Sequence, residues 1–114
     1  MNKYIQLTFP QGDSKSYLFT VKSGSDTPIN LTGATVRSDM RLDYSSEVVA
    51  SFTPTYTDLP NGQFEIALTA EQSANLPVKG AMTRFVFDVE ITFQDGTVQK
   101  AVYGHIVVTR EVTR

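Results

Sequence analysis

The sequence predicts an all-β fold: an antiparallel β-sandwich, Ig-like or jelly-roll-like, of about 7–8 strands. Three observations predict it. Apolar residues recur at every second position through most of the chain, which is the period of a half-buried strand. Turn chemistry interrupts these runs at short intervals. Helix-favouring sequence is confined to one short stretch near residues 70–76.

The strands follow in order. Ile5, Leu7 and Phe9 alternate with Tyr4, Gln6 and Thr8, and Pro10-Gln11-Gly12-Asp13 ends the run. Tyr17, Phe19 and Val21 alternate next, up to the Ser23–Pro28 loop. Ala34, Val36, Ser38, Met40 and Leu42 mark one face of a third strand, with Thr35, Arg37, Asp39 and Arg41 on the other. A fourth covers Val48 to Thr53 and is expected to stop at Pro54. After the turn signal Asp58-Leu59-Pro60-Asn61-Gly62, Phe64, Ile66 and Leu68 alternate again.

Thr69-Ala70-Glu71-Gln72 then reads as a capping box, in which the Thr69 hydroxyl accepts from a first-turn amide and Gln72 reaches back. Pro77 closes this short connecting helix. In the last hairpin Phe85, Phe87, Val89, Ile91 and Phe93 line one face. Asp95-Gly96 marks the turn, expected as a two-residue loop. Counting outward pairs Phe93 with Val98, Ile91 with Lys100, Val89 with Val102, Phe87 with Gly104, Val86 with His105 and Phe85 with Ile106. On that register Gly104 leaves space for the Phe87 ring.

A chain of 114 residues and 12.6 kDa fits a single domain, residues 1–114, and no repeat or linker divides it. With no cysteine, disulfides and thiolate chemistry are excluded. One histidine excludes a two-histidine acid/base pair or a His-rich metal site. A formal charge of −2 argues against nucleic acid as the main partner. The N-terminal residues lack a secretory pattern, and no apolar run approaches the ~20 residues of a membrane span. No membrane partner and no cofactor are expected.

Catalytic candidates are thin. His105 reads as a structural histidine on the outward face of its strand, and Asp88 and Glu90 as a solvated strand face. Asp39 with Asp43, and Asp13 alone, lack the ligand spacing of a calcium loop. Arg37 and Arg41 about Asp39 read as a charge-balanced surface. Ser23-Gly24-Ser25-Asp26 lacks the lysine and helix of a phosphate cradle. Ser45 and Ser46 have no base beside them in sequence. No enzyme activity, catalytic residue or metal site is expected.

A contact surface is better supported. Met82, Arg84, Val86, Tyr103, His105 and Val107 fall on the face of the last hairpin that should be wet. Apolar residues there imply cover, by a partner or by loops of the same domain. Tyr, Met and Arg are interface-enriched types. Nearer the tip the same face reads Thr92, Gln99, Glu90 and Ala101, which is solvent chemistry.

Several phrases occur together: Gln11-Gly12-Asp13; Asp26-Thr27-Pro28-Ile29-Asn30-Leu31-Thr32-Gly33-Ala34-Thr35-Val36; Leu68-Thr69-Ala70-Glu71-Gln72-Ser73-Ala74-Asn75-Leu76-Pro77; and Phe87-Asp88-Val89-Glu90-Ile91-Thr92-Phe93 before Asp95-Gly96-Thr97-Val98. With Gly104–Val108 and the closing Thr109–Arg114, this set resembles the small β-domain virion proteins of tailed phages. It is similar to the N-terminal domain of their upper baseplate and receptor-binding proteins. The resemblance implies a non-enzymatic structural protein of a phage or prophage virion, made in the host bacterial cytoplasm. Its expected place is the tail, baseplate or head–tail region, and its expected partners are other virion proteins or a second copy of itself. No receptor-binding head follows the final phrase, so an adaptor or accessory position is expected. The competing expectation is a carbohydrate- or other ligand-binding module using Tyr44, Tyr56 or Tyr103, although no tryptophan offers a stronger platform.

Overall fold

The computed structural model describes residues 3–111. Among these residues seven strands form: β1 Lys3–Pro10, β2 Lys15–Thr20, β3 Thr35–Arg41, β4 Val48–Asp58, β5 Gln63–Leu68, β6 Met82–Thr92 and β7 Val98–Thr109. A 3₁₀ turn at Leu59–Asn61 joins β4 to β5, and one short helix, α1 Ala70–Ala74, joins β5 to β6. The strands make one sheet in the order β1-β7-β6-β3-β4-β5-β2, curled nearly into a barrel. The long axis measures 43 Å, close to the reach of the twelve-residue β7 at roughly 3.3 Å per residue.

The all-β class matches the sequence reading, and the sheet departs from it in one pairing. All ladders are antiparallel except β1 with β7, which run parallel from Lys3↔Val102 to Pro10↔Thr109. The sheet is therefore mixed. Chain ends far apart in sequence lie side by side here, a pairing that no turn signal could announce.

The alternation fills the interior. Phe9, Met40, Phe64, Ile66, Phe85, Ile91 and Ile106 are fully buried, so β1, β3, β5, β6 and β7 all contribute to the centre of one core. Phe19 stacks on its cross-strand neighbour Phe64 at 5.8 Å, and Phe52 meets Phe87 at 6.3 Å. Leu42 lies beyond the end of β3 and is exposed, against the expectation that it shares the buried face of that strand.

Pro54 does not end its strand. β4 runs on to Asp58, pairing with β3 as far as Phe52 and with β5 from Thr53 onward. By residue 54 the β3 ladder is finished, so one side of β4 needs no N–H and proline is tolerated. That hand-over brings β5 and β2 across from β6 and β7.

The β6–β7 hairpin carries two departures that cancel. Its loop has three residues, Gln94-Asp95-Gly96. The Phe93 N–H donates to the Thr97 carbonyl at 2.7 Å, and the Gly96 N–H to the Phe93 carbonyl at 2.9 Å. Gly96 takes φ 91°, the left-handed position such a loop requires. The register near the tip is thus Thr92↔Val98, Ile91↔Gln99 and Glu90↔Lys100, one residue off the expected pairing. Ala101 then forms a bulge, and from Val89↔Val102 onward the pairs are those expected, including Val86↔His105 and Phe85↔Ile106. Ile91 accordingly does not face Lys100. Ala101 turns inward and is buried beside Val102, where a solvent-facing position was expected.

β1 and β2 occupy the two ends of the sheet order and are joined through the corner at residues 11–14. No ladder connects them among the described residues, so the barrel stays open along this seam. A cavity of about 480 Å³ lies there, between Lys3 and Ile5 of β1 and Leu18–Thr20 of β2, with Ala101 and Val102 behind.

Candidate functional site

The outer face of β1, β7, β6 and β3 can be read as transverse rows, because cross-strand partners point the same way. At the open end of the hairpin Met82 sits opposite Thr109. The next row is Arg84–Val107–Thr8, and the next is Arg41–Val86–His105–Gln6. A fourth row crosses five strands as Ser51–Asp39–Asp88–Tyr103–Tyr4. The last, near the tip, is Arg37–Glu90–Lys100.

All six residues proposed from sequence as a contact surface therefore share one continuous face. They are not equally available. Met82 is 59% exposed and Tyr103 36%, and Arg84 is exposed; His105 and Val107 are half-buried. Val86 is only 8% exposed, so it is covered within the domain and offers little surface to a partner. Its cross-strand neighbours Arg41 and His105 both carry longer side chains than valine.

Sequence reasoning missed the contribution of β1. Tyr4 is 45% exposed, meets the Tyr103 ring edge-on at 5.5 Å and places its hydroxyl 2.7 Å from His105 Nδ1. The alternation of Tyr4, Gln6 and Thr8 showed that these residues share a face. Which strand they join is set by the parallel pairing with β7, for which the sequence has no local signal.

The β3 side of this face is polar. Asp39 and Asp88 are direct cross-strand neighbours, an arrangement of like charges that is unfavourable unless each is countered. Both are. Asp39 accepts from Ser51 Oγ at 2.6 Å and pairs with Arg37 Nε at 3.1 Å. Asp88 pairs with Lys100 Nζ at 3.0 Å. A concave trough of about 350 Å³ lies over these residues, with Tyr44 and Tyr103 among its lining.

Tyr44 sits in a braced loop. The Asp43 carboxylate accepts from the Ser45 N–H, the Ser45 hydroxyl and the Ser46 hydroxyl at 2.8–3.0 Å, while Arg41 Nη1 donates to the Ser46 carbonyl. These hydrogen bonds, the Ser46 hydroxyl first, hold the Asp43 pKa below the ordinary carboxylate value. Tyr56 is engaged elsewhere: its hydroxyl accepts from the Val36 N–H at 3.0 Å. Among the described residues no group of three His, Asp or Glu side chains gathers to hold a metal ion, and no helix is long and apolar enough to cross a membrane.

No family model matches the chain, and no curated protein matches it. Among solved structures it is similar to a family 123 glycoside hydrolase from Clostridium perfringens, with 8% identity and a TM-score of 0.42 over 98% of this chain and 24% of that one. The chain thus spans about a quarter of the hydrolase's length. It is also similar to AggA, the major subunit of aggregative adherence fimbriae type I from Escherichia coli. There the identity is 10% and the TM-score 0.35, covering 93% of this chain and 89% of that one. At these scores neither likeness bears on function.

Proposed function

We propose that this chain is a non-enzymatic structural protein of a tailed-phage or prophage virion, placed in the tail, baseplate or head–tail region. In this reading its curled sheet is a sandwich of the Ig-like or jelly-roll-like kind. It acts through protein–protein contacts over the outer face of β1, β7 and β6, with other virion proteins or a second copy as partner. The observation that carries the reading is the exposure of Tyr4, Met82 and Tyr103 beside Arg84 and Val107 on one continuous face. Large apolar and aromatic side chains gathered with an arginine have interface composition.

The phrases that resemble the phage proteins support it in a second way, since two of them hold each other. Gln11 Nε2 donates to the Ala74 and Leu76 carbonyls at 3.1 and 3.0 Å, and the Gly12 N–H donates to Ser73 Oγ at 2.8 Å. The residues of the Gln-Gly-Asp phrase and of the Leu68–Pro77 phrase form one structural joint, so their joint occurrence has a physical reason.

The test is solution mass by light scattering across a dilution series, together with pull-downs against tail, baseplate and portal proteins. The expected result is a defined oligomer or a stable complex that Val107→Asp and Met82→Asp disrupt without loss of fold. A monomer that captures none of these proteins overturns the proposal.

A further inference from the structure

We infer that the trough between Tyr44 and Tyr103 is a binding site for a neutral saccharide. The site goes beyond the contact role in the ligand it takes: it spans β3, β6 and β7 and shares Tyr103 with the contact face. The charged groups around it balance. Arg37, Arg41 and Lys100 face Asp39, Asp88 and Glu90, so the trough attracts neither a phosphate nor a cation by net charge. What it presents instead is alternating donors and acceptors over a short distance: guanidinium and ammonium N–H groups beside carboxylate oxygens. Vicinal hydroxyls, each able to donate and to accept, match that alternation, and charge-assisted hydrogen bonds are the stronger kind.

The acceptors are held in place before any ligand arrives. The Asp39 side chain is only 13% exposed and is fixed by Ser51 and Arg37. Asp88 is fixed by Lys100. Such fixing lowers the ordering cost of binding.

The two tyrosines supply the apolar surface a pyranose ring needs. Tyr103 is positioned by the edge-on contact with Tyr4. Tyr44 is 74% exposed on a loop stapled by Asp43 and Arg41. An exposed tyrosine on a braced loop, with no side-chain hydrogen bond among the described residues, is a stacking platform. The volume of about 350 Å³ lies at the small end of ligand pockets, roughly 300–1,000 Å³, and suits a short saccharide.

The experiment is an NMR titration of the full chain with glucose, galactose, rhamnose, N-acetylglucosamine, maltose and cellobiose. Glucuronate and inorganic phosphate serve as charged comparators. At least one neutral sugar is expected to shift the amides of Tyr44, Asp88 and Tyr103 saturably, and the charged comparators not to. Tyr44→Ala and Asp39→Asn should each weaken that binding by about tenfold or more, with unchanged melting temperature for Tyr44→Ala. Val107→Asp, which tests the contact face, should leave it intact. No saturable shift with any neutral sugar overturns the inference. So does saturable binding that Tyr44→Ala leaves at full strength, or that maps to another face.

Discussion

Gly104 of β7 packs against the main chain of Ile5 in β1 so closely that a Cβ on residue 104 would fall on the Ile5 carbonyl oxygen. The absent side chain thus makes room for a backbone, and the Phe87 ring across the ladder is not the neighbour it accommodates. The three nearest atoms, the Ile5 oxygen, carbonyl carbon and nitrogen, all belong to the β1 main chain, which cannot turn aside as a flexible side chain can.

Gly104→Ala is therefore expected to push β1 off β7. Overpacking of this kind costs about 1–3 kcal/mol. The loss should appear as a lower urea midpoint and as faster hydrogen exchange at β1 amides, with the β6–β7 amides less affected. Exchange in β1 equal to that of the unaltered chain would show that the strand does not depend on this approach.

The last hairpin and the first strand mark the limits of what the residues announced. Period two located every strand, because burial on one face leaves an alternating pattern whatever the neighbours are. The register of β6 on β7 was legible over the core, where Phe85, Phe87 and Val89 had to meet apolar partners. Near the tip it was not legible: a three-residue loop and a bulge at Ala101 change the count by equal and opposite amounts. An outcome seen only in the core cannot separate that pair from no irregularity at all. Pro54 misled for a related reason. A proline forbids pairing on its N–H side alone, and β4 needs only one side there. The contact residues on β6 and β7 followed from alternation, whereas Tyr4 and the trough depend on which strands lie side by side.

The joint between the β1–β2 corner and α1 is testable through Gln11. Its buried amide serves the carbonyls of Ala74 and Leu76 at the end of a helix too short to persist alone. Gln11→Met keeps the volume and removes both donations. The expected destabilisation is about 1–3 kcal/mol by urea unfolding. A variant as stable as the parent would mean that the corner is held without the Gln11 side-chain amide, by packing and by hydrogen bonds such as that from the Gly12 N–H to Ser73.

The loop bearing Tyr44 should respond to pH through Asp43. Hydrogen bonds from Ser46 and Ser45 favour its ionised form, so the folded pKa lies below the unfolded one. The stabilisation of the loop is present above the unfolded pKa and is lost as pH falls through the folded value. An NMR titration of the Asp43 carboxyl should give a pKa below the ordinary aspartate value, moving up when Ser45 and Ser46 are both replaced by alanine. An ordinary value in the intact chain would remove the brace from the account of Tyr44.

Tyr56 gives the sharpest separation of structure from binding. Its hydroxyl accepts from the Val36 N–H at 3.0 Å, at a position where β3 has not yet begun to pair with β4. That N–H has no ladder partner on the β4 side, and a phenolic oxygen from further along β4 takes the place of one. Tyr56→Phe removes only the oxygen and leaves a part-buried donor unsatisfied, at an expected cost of about 1–3 kcal/mol. The ring stays, so packing does not confound the measurement. Because Tyr56 lies outside the trough, the same variant should bind any saccharide that the parent binds with equal affinity. Lowered stability with unchanged binding would assign Tyr56 to the fold; weakened binding at full stability would move the ligand site to the β4–β5 side of the sheet.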